Sequence, residues 1–266
     1  MTLSSIQDLP TIMVAPNGAR RTKADHPALP ITITEVVASA KACQEAGADG
    51  LHAHVRDAEG RHVLDSGLYK ELLAELAHET PDLYVQITTE AVGIYNPEQQ
   101  RALVRSVQPK AVSISIREML SDGDNRDILR FYHDQWHAGS GIQHILYGTD
   151  DIALLQDLCQ RGIVPKDDLK LLFVLGRYTA GQVSSPDDLL PFLEAQKALD
   201  QTCGAPSDWA CCAFGQAETD CLARAVAKGG KVRIGFENNL HHSDGSLARD
   251  NADRVAHLRA ALAHPA

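Results

Sequence analysis

Short apolar segments alternate with longer amphipathic segments along nearly the whole chain. The apolar segments lie at 11–15, 49–55, 83–87, 111–115, 143–147, 169–175, 208–214 and 231–236. Apolar runs of this length, bounded by Gly, Pro or polar residues, are typical of strands buried in a parallel sheet. The pattern therefore predicts eight strands.

A helix is predicted after each strand, from apolar residues at helical spacing. The first is expected to begin with Thr34 as N-cap and to end at Gly47. The later helices are expected at 68–77, from Asn96 with Pro97 in the first turn, at 128–137, from Asp150 or Asp151, from Ser185, at 217–227 and at 251–262.

Strand–helix units recur at intervals of about 30 residues in this chain of 266 residues. Eight such units predict an α/β fold of the (β/α)₈ TIM-barrel class, formed by a single domain over residues 1–266. A doubly wound open sheet is the alternative. No G-x-G-x-x-G motif follows a strand, which disfavours that alternative.

Charge and composition narrow the expected partners. The chain has 25 Lys and Arg residues against 35 Asp and Glu residues, a formal net charge of −10, and no basic block exceeds two consecutive residues. Neither nucleic acid nor a membrane is therefore an expected partner. No apolar segment approaches the roughly 20 residues that span a bilayer, and no signal-peptide pattern is present, so a cytoplasmic protein is expected. The six cysteines show no C-x-x-C spacing and are expected to be reduced thiols.

Two histidines near the end of the second predicted strand carry the main chemical signal. His52 and His54 share one face, because successive side chains of a strand point to opposite faces. Two neutral imidazoles so placed can bind Zn²⁺ or a divalent ion of similar size, and Glu237, after the last predicted strand, is the best candidate for a third ligand. Three protein ligands leave the open fourth position that catalytic zinc requires. The competing interpretation is ordinary polar residues at a strand end.

Polar residues also collect at the other predicted strand ends. The set comprises Asn17, Arg20, His52, His54, Thr88, Glu90, Ser113, Ser115, Arg177 and Glu237. In TIM barrels the active site forms at the C-terminal ends of the strands. This coincidence supports the metal interpretation.

Five segments carry a resemblance to a known family. They are NGARRTKADHPALPIT at 17–32, AGADGLHAHVRDAEGR at 46–61, QITTEAVG at 86–93, FVLGR at 173–177 and KGGKVRIGFENNL at 228–240. In this order they resemble the β-keto acid cleavage enzymes over nearly the whole chain. The resemblance implies a zinc-bearing (β/α)₈ barrel that transfers the acyl part of a β-keto acid onto CoA, using acetyl-CoA and releasing acetoacetate. It also implies a homo-oligomer, a tetramer in relatives.

The resemblance assigns catalytic roles as well. An Arg on the last strand and an acid directly after the zinc-binding glutamate together promote deprotonation in relatives; Arg233 matches the Arg, but Asn238 replaces the acid. An amide can orient a partner or bind the substrate, but it cannot act as general base. Glu90, where a relative has Gly, is the expected substitute. The competing interpretation of Glu90 is a solvated strand-end acid.

Substrate contacts are implied in the same way. Arg20 occupies the position at which a relative meets its substrate's ammonium with a glutamate, so an anionic or neutral substrate is expected instead of an amine. Contact with a CoA phosphate, or exposure to solvent, are the alternatives for Arg20. Thr88, Ser113 and Ser115 match positions that hold the substrate carboxylate in relatives, and Asn17 is grouped with them as substrate-binding.

Two other functions are consistent with the sequence. Zinc-dependent TIM-barrel hydrolases also use His-x-His, although on the first strand and not the second. A non-catalytic, metal-dependent small-molecule sensor is the other hypothesis, because Asn238 lacks the acid of the family. Formation of acetoacetate from acetyl-CoA distinguishes all three functions.

Overall fold

The computed structural model describes residues 6–263 and forms a closed barrel of eight parallel strands. The strands are β1 (Ile12–Val14), β2 (Gly50–Ala53), β3 (Tyr84–Thr88), β4 (Ala111–Ser115), β5 (Gly141–Leu146), β6 (Lys170–Leu175), β7 (Asp208–Ala213) and β8 (Lys231–Ile234). β8 pairs with β1, with Met13 beside Arg233, so the sheet has no open edge. The predicted TIM barrel is confirmed, and a doubly wound open sheet is excluded. The predicted domain, residues 1–266, extends beyond the described residues at both ends.

Helices follow the strands and cover the outside of the barrel. Within the described residues they are α1 (Ile33–Glu45), α2 (Ser66–Glu79), α3 (Pro97–Val107), α4 (Ile116–Met119), α5 (Asn125–His137), α6 (Thr149–Gln160), α7 (Leu189–Cys203), α8 (Glu218–Ala227) and α9 (Asn251–Ala263). The short helix α4 was not expected from the sequence. Every predicted helix is present, although several begin or end a few residues away from the expected position.

The start of α1 differs from the prediction, since Thr32 and not Thr34 is the N-cap. The Thr32 hydroxyl accepts a hydrogen bond from the backbone N–H of Glu35 at 3.3 Å, and the Glu35 carboxylate accepts one from the backbone N–H of Thr32 at 3.0 Å. This capping box satisfies two N–H groups that the helix leaves free. Because Thr34 has no such partner three residues later, it lies inside the first turn.

The barrel interior changes character from one end to the other. Tyr84 and Ala111, the first residues of β3 and β4, belong to an apolar cluster. Buried polar side chains occupy interior positions farther along: His52, Gln86, Thr88, Ser113, Gln143 and Arg233. The polar side chains that could take part in catalysis therefore lie toward the C-terminal end of the barrel, where active sites form in this fold.

The turn after β8 decides where Glu237 lies. β8 ends at Ile234, two residues before the predicted end, because Gly235 adopts a φ of +139°. A Cβ atom at this position would lie 2.4 Å from the carbonyl oxygen of Ala15, so only glycine fits. The turn carries Glu237 past the strand and over the end of the barrel.

Candidate metal centre and active site

Strands β2 and β8 bring three metal-ligating side chains to one point. His52 lies in β2, His54 follows its end, and Glu237 follows the turn after β8. His52 Nε2 and His54 Nε2 are 3.1 Å apart, and each lies 3.6 Å from Glu237 Oε2. Ligand atoms placed about 2.1 Å from a tetrahedral zinc ion lie about 3.4 Å from one another. The predicted ligands thus converge at separations that suit zinc.

A chain of hydrogen bonds fixes which nitrogen of His52 carries the proton. The Gln143 side-chain amide donates to the backbone carbonyl of Leu171 at 3.1 Å, and Gln86 donates to Gln143 Oε1 at 3.0 Å. Gln86 Oε1 then accepts from His52 Nδ1 at 2.9 Å. Since the terminal carbonyl can only accept, every bond of the chain has this direction. His52 is therefore protonated on Nδ1, and its Nε2 lone pair is available for a metal.

A second chain fixes His54. His62 Nε2 lies 2.9 Å from the carbonyl oxygen of Glu90 and must donate to it, and His62 Nδ1 lies 3.4 Å from His54 Nδ1. Burial and the neighbouring His54 lower the pKa of His62 to about 3, so this ring is neutral and its Nδ1 accepts. His54 therefore donates from Nδ1, and its Nε2 faces the cluster.

The carboxylate of Glu237 completes a cluster of acceptors. Its Oε1 accepts from Arg233 at 2.9 Å, whereas Oε2 is buried without a hydrogen-bond partner in the described part of the chain. Burial alone would raise the pKa of Glu237, but Arg233 and the two imidazoles outweigh it and hold the pKa well below the usual value. Burial, followed by Arg233, lowers the pKa of His52 to about 3. Nε2 of both histidines and Oε2 of Glu237 thus meet at one point and offer three ligand atoms to a cation.

Gly18 packs against the side chain of Glu237, so a substitution at Gly18 tests whether the position of Glu237 matters for metal binding. Its φ is +58°, and an added Cβ would lie 2.6 Å from Cγ of Glu237. Gly18→Ala should displace the carboxylate and weaken Zn²⁺ binding by about 10–100-fold, the effect typical of disturbing a ligand's support. It should also cost the roughly 1–2 kcal/mol of a left-handed backbone.

The matched control is Gly204→Ala. Gly204 has a φ of +78°, and an added Cβ there would meet no atom within 4 Å. This variant carries the same backbone cost without touching the cluster. Equilibrium dialysis against Zn²⁺ measures the difference, and equal affinities in the two variants would contradict the geometry.

Arg56 joins the loop after β1 to the loop after β2. Its guanidinium donates to the carbonyl oxygens of Asn17 at 3.3 Å, Arg21 at 3.1 Å and Gly60 at 3.0 Å. Asn17 Nδ2 in turn donates to the carbonyl oxygen of His54 at 3.0 Å. Asn17 lines the adjoining cavity, and its buried Oδ1 has no partner within residues 6–263. The loop that carries the predicted substrate contacts is thus held against the end of β2, beside His54.

A cavity of about 150 Å³ adjoins the cluster. Its cationic lining residues are Arg20, Arg21, Arg177 and Arg233. Its apolar and aromatic lining residues are Ile145, Tyr147, Val174 and Phe214. Of the predicted site residues, Asn17, Arg20, Thr88 and Glu90 also line it, together with His52 and Glu237. A small cavity with convergent cationic groups and one apolar wall suits a small organic anion.

Glu90 lies on the cavity wall between the metal cluster and Arg177. Its Oε2 is 4.0 Å from His54 Nδ1, and its Oε1 is 4.0 Å from Arg177 Nη2. The Arg177 guanidinium lies over the ring of Phe214, 5.1 Å from the ring centroid. With 23% of its side chain exposed, Glu90 is accessible from the cavity and is not locked in a short ion pair.

Besides His54, three predicted site residues lie outside the cavity lining. Ser113 and Ser115 are buried on β4, and Ser113 Oγ has no hydrogen-bond partner within residues 6–263. The side chain of Asn238 is also buried, and neither its amide nitrogen nor its oxygen has a partner there. Their substrate-binding and catalytic roles therefore stay predictions.

Four residues of this site, Gln86, Gln143, His62 and Tyr147, were not predicted from the sequence. Gln86 and Gln143 are polar residues at interior positions of otherwise apolar strands, which is a weak signal in the sequence. His62 lies outside any strand, in an isolated bridge with Arg56. Tyr147 was predicted only as the end of a strand; burial raises its pKa well above the ordinary value, so its phenol remains a hydrogen-bond donor.

No helix within residues 6–263 has the length and apolar character needed to cross a bilayer.

Comparison with known proteins identifies relatives of the whole chain. A family model described as beta-keto acid cleavage enzyme matches residues 11–264. The 3-keto-5-aminohexanoate cleavage enzyme of Acetoanaerobium sticklandii is 26% identical over 245 residues, which cover 90% of this chain and 86% of that enzyme. The 3-oxoadipate:acetyl-CoA acetyltransferase of Cupriavidus necator is 25% identical over 260 residues, which cover 94% and 87%.

Solved structures share the fold. A binary complex of ObcA with oxaloacetate aligns with a TM-score of 0.66 at 15% sequence identity. The alignment covers 89% of this chain but only 64% of the ObcA chain, so this chain spans less than two thirds of that protein. At this identity the likeness concerns the barrel alone.

Proposed function

The chain belongs to the beta-keto acid cleavage enzyme family and is an acyltransferase, and from this premise we propose that it cleaves a β-keto acid with acetyl-CoA at a zinc centre. The acyl group of R–CO–CH₂–COO⁻ passes to the CoA sulfur, and the CH₂–COO⁻ group passes to the acetyl group. The products are R–CO–SCoA and acetoacetate, so neither water nor an oxidant is consumed. The observation that carries the zinc proposal is the convergence of three potential ligand atoms, Nε2 of His52, Nε2 of His54 and Oε2 of Glu237, within 3.6 Å of one another.

In this proposal the metal would act only as a Lewis acid. His52, His54 and Glu237 would hold a divalent ion, which would supply a Lewis acid to stabilise negative charge developing on the substrate. Arg233 holds Glu237 Oε1 and adds a buried positive charge beside the cavity. Thr88, Asn17 and Tyr147 supply polar groups on the cavity wall that can orient a small acid.

Glu90 is the proposed general base. It removes a proton from C2 of the keto acid, and the resulting carbanion attacks the acetyl carbonyl, which expels the CoA thiolate. The thiolate then adds to C3 of the original keto acid and the C2–C3 bond breaks, after which the carbanion of acetoacetate takes the proton back from Glu90. Glu90 lines the cavity and carries a titratable carboxylate, whereas Asn238 has neither property.

We also propose that the substrate carries an anionic tail, bound by Arg20. Arg20 lines the cavity, is exposed, and has no hydrogen-bond or ion-pair partner within residues 6–263. A guanidinium without a partner favours a carboxylate. One relative is named for 3-oxoadipate, which has two carboxylates, so the family accommodates such a substrate.

Arg20→Ala should lower kcat/KM selectively for anionic substrates. A charge-assisted hydrogen bond is worth ~1.5–3 kcal/mol, so the loss should be roughly 10–150-fold for an anionic β-keto acid. A neutral substrate of matched length should be affected little. Steady-state kinetics with anionic, neutral and cationic β-keto acids, for the unaltered enzyme, Arg20→Ala and Arg20→Glu, measure the effect.

Arg20→Glu extends this test by reversing the charge, and it should shift preference toward the cationic substrate. Equal losses for all three substrates would mean that Arg20 binds a CoA phosphate or supports the fold. An unaltered enzyme that prefers the ammonium substrate would refute the proposal of an anionic tail.

A panel of β-keto acids, assayed with and without acetyl-CoA, tests the overall function. Acetoacetate should form only when acetyl-CoA is present. Cleavage without acetyl-CoA would support the hydrolase hypothesis, and metal binding without turnover of any substrate would support the sensor hypothesis. The homo-tetramer implied by the family stays a prediction, which light scattering tests.

A further inference from the structure

We propose that Gln143 and Gln86 are positioning residues that hold His52 in the one tautomer able to bind the metal through Nε2. The inference rests on the proposed zinc centre and adds a role for two glutamines that do not contact the cavity. The relay that they form starts at the backbone carbonyl of Leu171 and ends at His52 Nδ1.

The fixed end of the relay is a peptide carbonyl. Leu171 belongs to β6, so its oxygen cannot turn and cannot donate. Gln143 must therefore present its NH₂ group to Leu171 and its oxygen to Gln86. Gln86 must likewise present its NH₂ group to Gln143 and its oxygen to His52. Each amide is thus held in one of its two orientations by its neighbour, at distances of 3.1, 3.0 and 2.9 Å.

The two glutamines of the relay occupy buried positions at which an apolar side chain would be expected. Gln86 and Gln143 are fully buried, with exposed fractions of 0%. Other interior positions on the same strands carry Tyr84 on β3 and the partly buried Ile145 on β5. Burying an amide is unfavourable unless its hydrogen bonds are made, so an apolar side chain would pack more simply at either position. The two amides lie on different strands, yet they form one line of donors and acceptors that ends on a metal ligand.

The relay affects metal binding through the alternative tautomer. Neutral imidazole carries one proton, and without an acceptor at Nδ1 that proton can occupy Nε2 and face the other two ligands. Hydrogen bonds from the non-ligating nitrogen of a histidine fix its tautomer and ring orientation, and losing them typically weakens metal binding about 10–100-fold. We therefore expect Gln86→Leu to raise the Kd for Zn²⁺ by about 10–100-fold.

Two further variants separate the relay from simple packing. Gln143→Leu leaves Gln86 in place but free to turn its amide, so it should raise Kd by a smaller factor than Gln86→Leu. Gln86→Glu keeps an acceptor opposite His52 Nδ1 that cannot turn into a donor while ionised, so it should retain Zn²⁺ binding close to that of the unaltered protein. Rescue by Glu but not by Leu is an outcome that a purely structural role would not produce.

A matched control exists elsewhere in the chain. Gln196 on α7 is also buried, and its amide donates to the Ser207 hydroxyl at 2.9 Å. Gln196→Leu removes a buried amide hydrogen bond of the same kind, and this bond involves no member of the relay. It should lower thermal stability comparably to Gln86→Leu while leaving the Kd for Zn²⁺ unchanged.

The experiment is a competition titration of Zn²⁺ against a chromophoric chelator, for the unaltered protein and the four variants. Long-range ¹H–¹⁵N NMR of the unaltered, metal-free protein reports the tautomer of His52 directly and needs no variant to fold. The expected results are Nδ1–H at His52 and the order of Kd values given above.

The outcomes distinguish this inference from the function on which it rests. Absence of Zn²⁺ binding in the unaltered protein would overturn the zinc centre and, with it, the relay. Tight Zn²⁺ binding combined with unchanged Kd values in Gln86→Leu and Gln143→Leu, or an Nε2–H tautomer at His52, would overturn the relay alone.

Discussion

Replacing His52 with alanine should remove the metal and, with it, the activity. Two of three ligands would remain, and Glu237 Oε2 and His54 Nε2, 3.6 Å apart, cannot close a tetrahedral site with protein ligands. A bound Lewis acid contributes several kcal/mol to stabilisation of the transition state, so turnover should fall by about 10³-fold or more. Elemental analysis after dialysis should find about one Zn²⁺ per chain in the unaltered protein and almost none in the variant.

His241→Ala is the appropriate control for this prediction. His241 lies in the loop after β8 and is exposed, and it does not belong to the cluster of ligands found among the described residues. Its replacement should leave both metal content and turnover unchanged. An unchanged metal content in His52→Ala would show that the assignment of the ligands is wrong.

Glu90→Gln should lower turnover by ~10²–10⁴-fold, the usual cost of removing a general base. The amide has nearly the same shape as the carboxylate, and the contact with His62 comes from the backbone carbonyl of residue 90, so it survives the substitution. Zn²⁺ content should therefore stay at the level of the unaltered enzyme, which separates loss of the base from loss of the metal.

Glu98→Gln controls for removal of a negative charge near the same loop. Glu98 lies on the exposed surface of α3, in its first turn, and does not line the cavity. Turnover of this variant should equal that of the unaltered enzyme. Full activity in Glu90→Gln would place the base elsewhere and return Glu90 to the role of a solvated strand-end acid.

The convergence of His52, His54 and Glu237 was predictable because two rules act together. Alternation along a strand puts His52 and His54 on one side, and the barrel collects strand ends at one rim. Both rules tolerate errors in strand boundaries: β2 ends before His54 and β8 ends three residues before Glu237, yet the three side chains still converge. The rim position matters more than the exact end of the strand.

The residues that support the ligands were not predictable in the same way. Gln86 lies 34 positions after His52 in the sequence, and Gln143 lies 57 positions after Gln86. Their contacts therefore depend on how three strands align in the closed barrel. A lone glutamine in an apolar strand gives no indication of its partner. His62 was missed for a similar reason, because it returns toward His54 from a bridge outside the barrel strands.

The sequence also did not predict which of the side chains at the strand ends line the cavity. Ser113 and Ser115 occupy alternate positions on β4, as expected for interior side chains, but they lie outside the cavity lining. Asn238 directly follows Glu237 and is nevertheless buried away from the lining, since the chain is turning after Gly235. Position along the chain gave the correct rim but not the direction of each side chain.

The central claim is most directly tested by the fate of labelled acetyl-CoA. The enzyme is incubated with acetyl-CoA carrying ¹³C at both acetyl carbons and with an unlabelled anionic β-keto acid, and the products are followed by NMR and mass spectrometry. The account predicts acetoacetate labelled at C3 and C4 only, formed together with an equal amount of an unlabelled acyl-CoA derived from the keto acid. Labelled acetate, free unlabelled carboxylic acid in place of acyl-CoA, or no product with any member of the panel would contradict it.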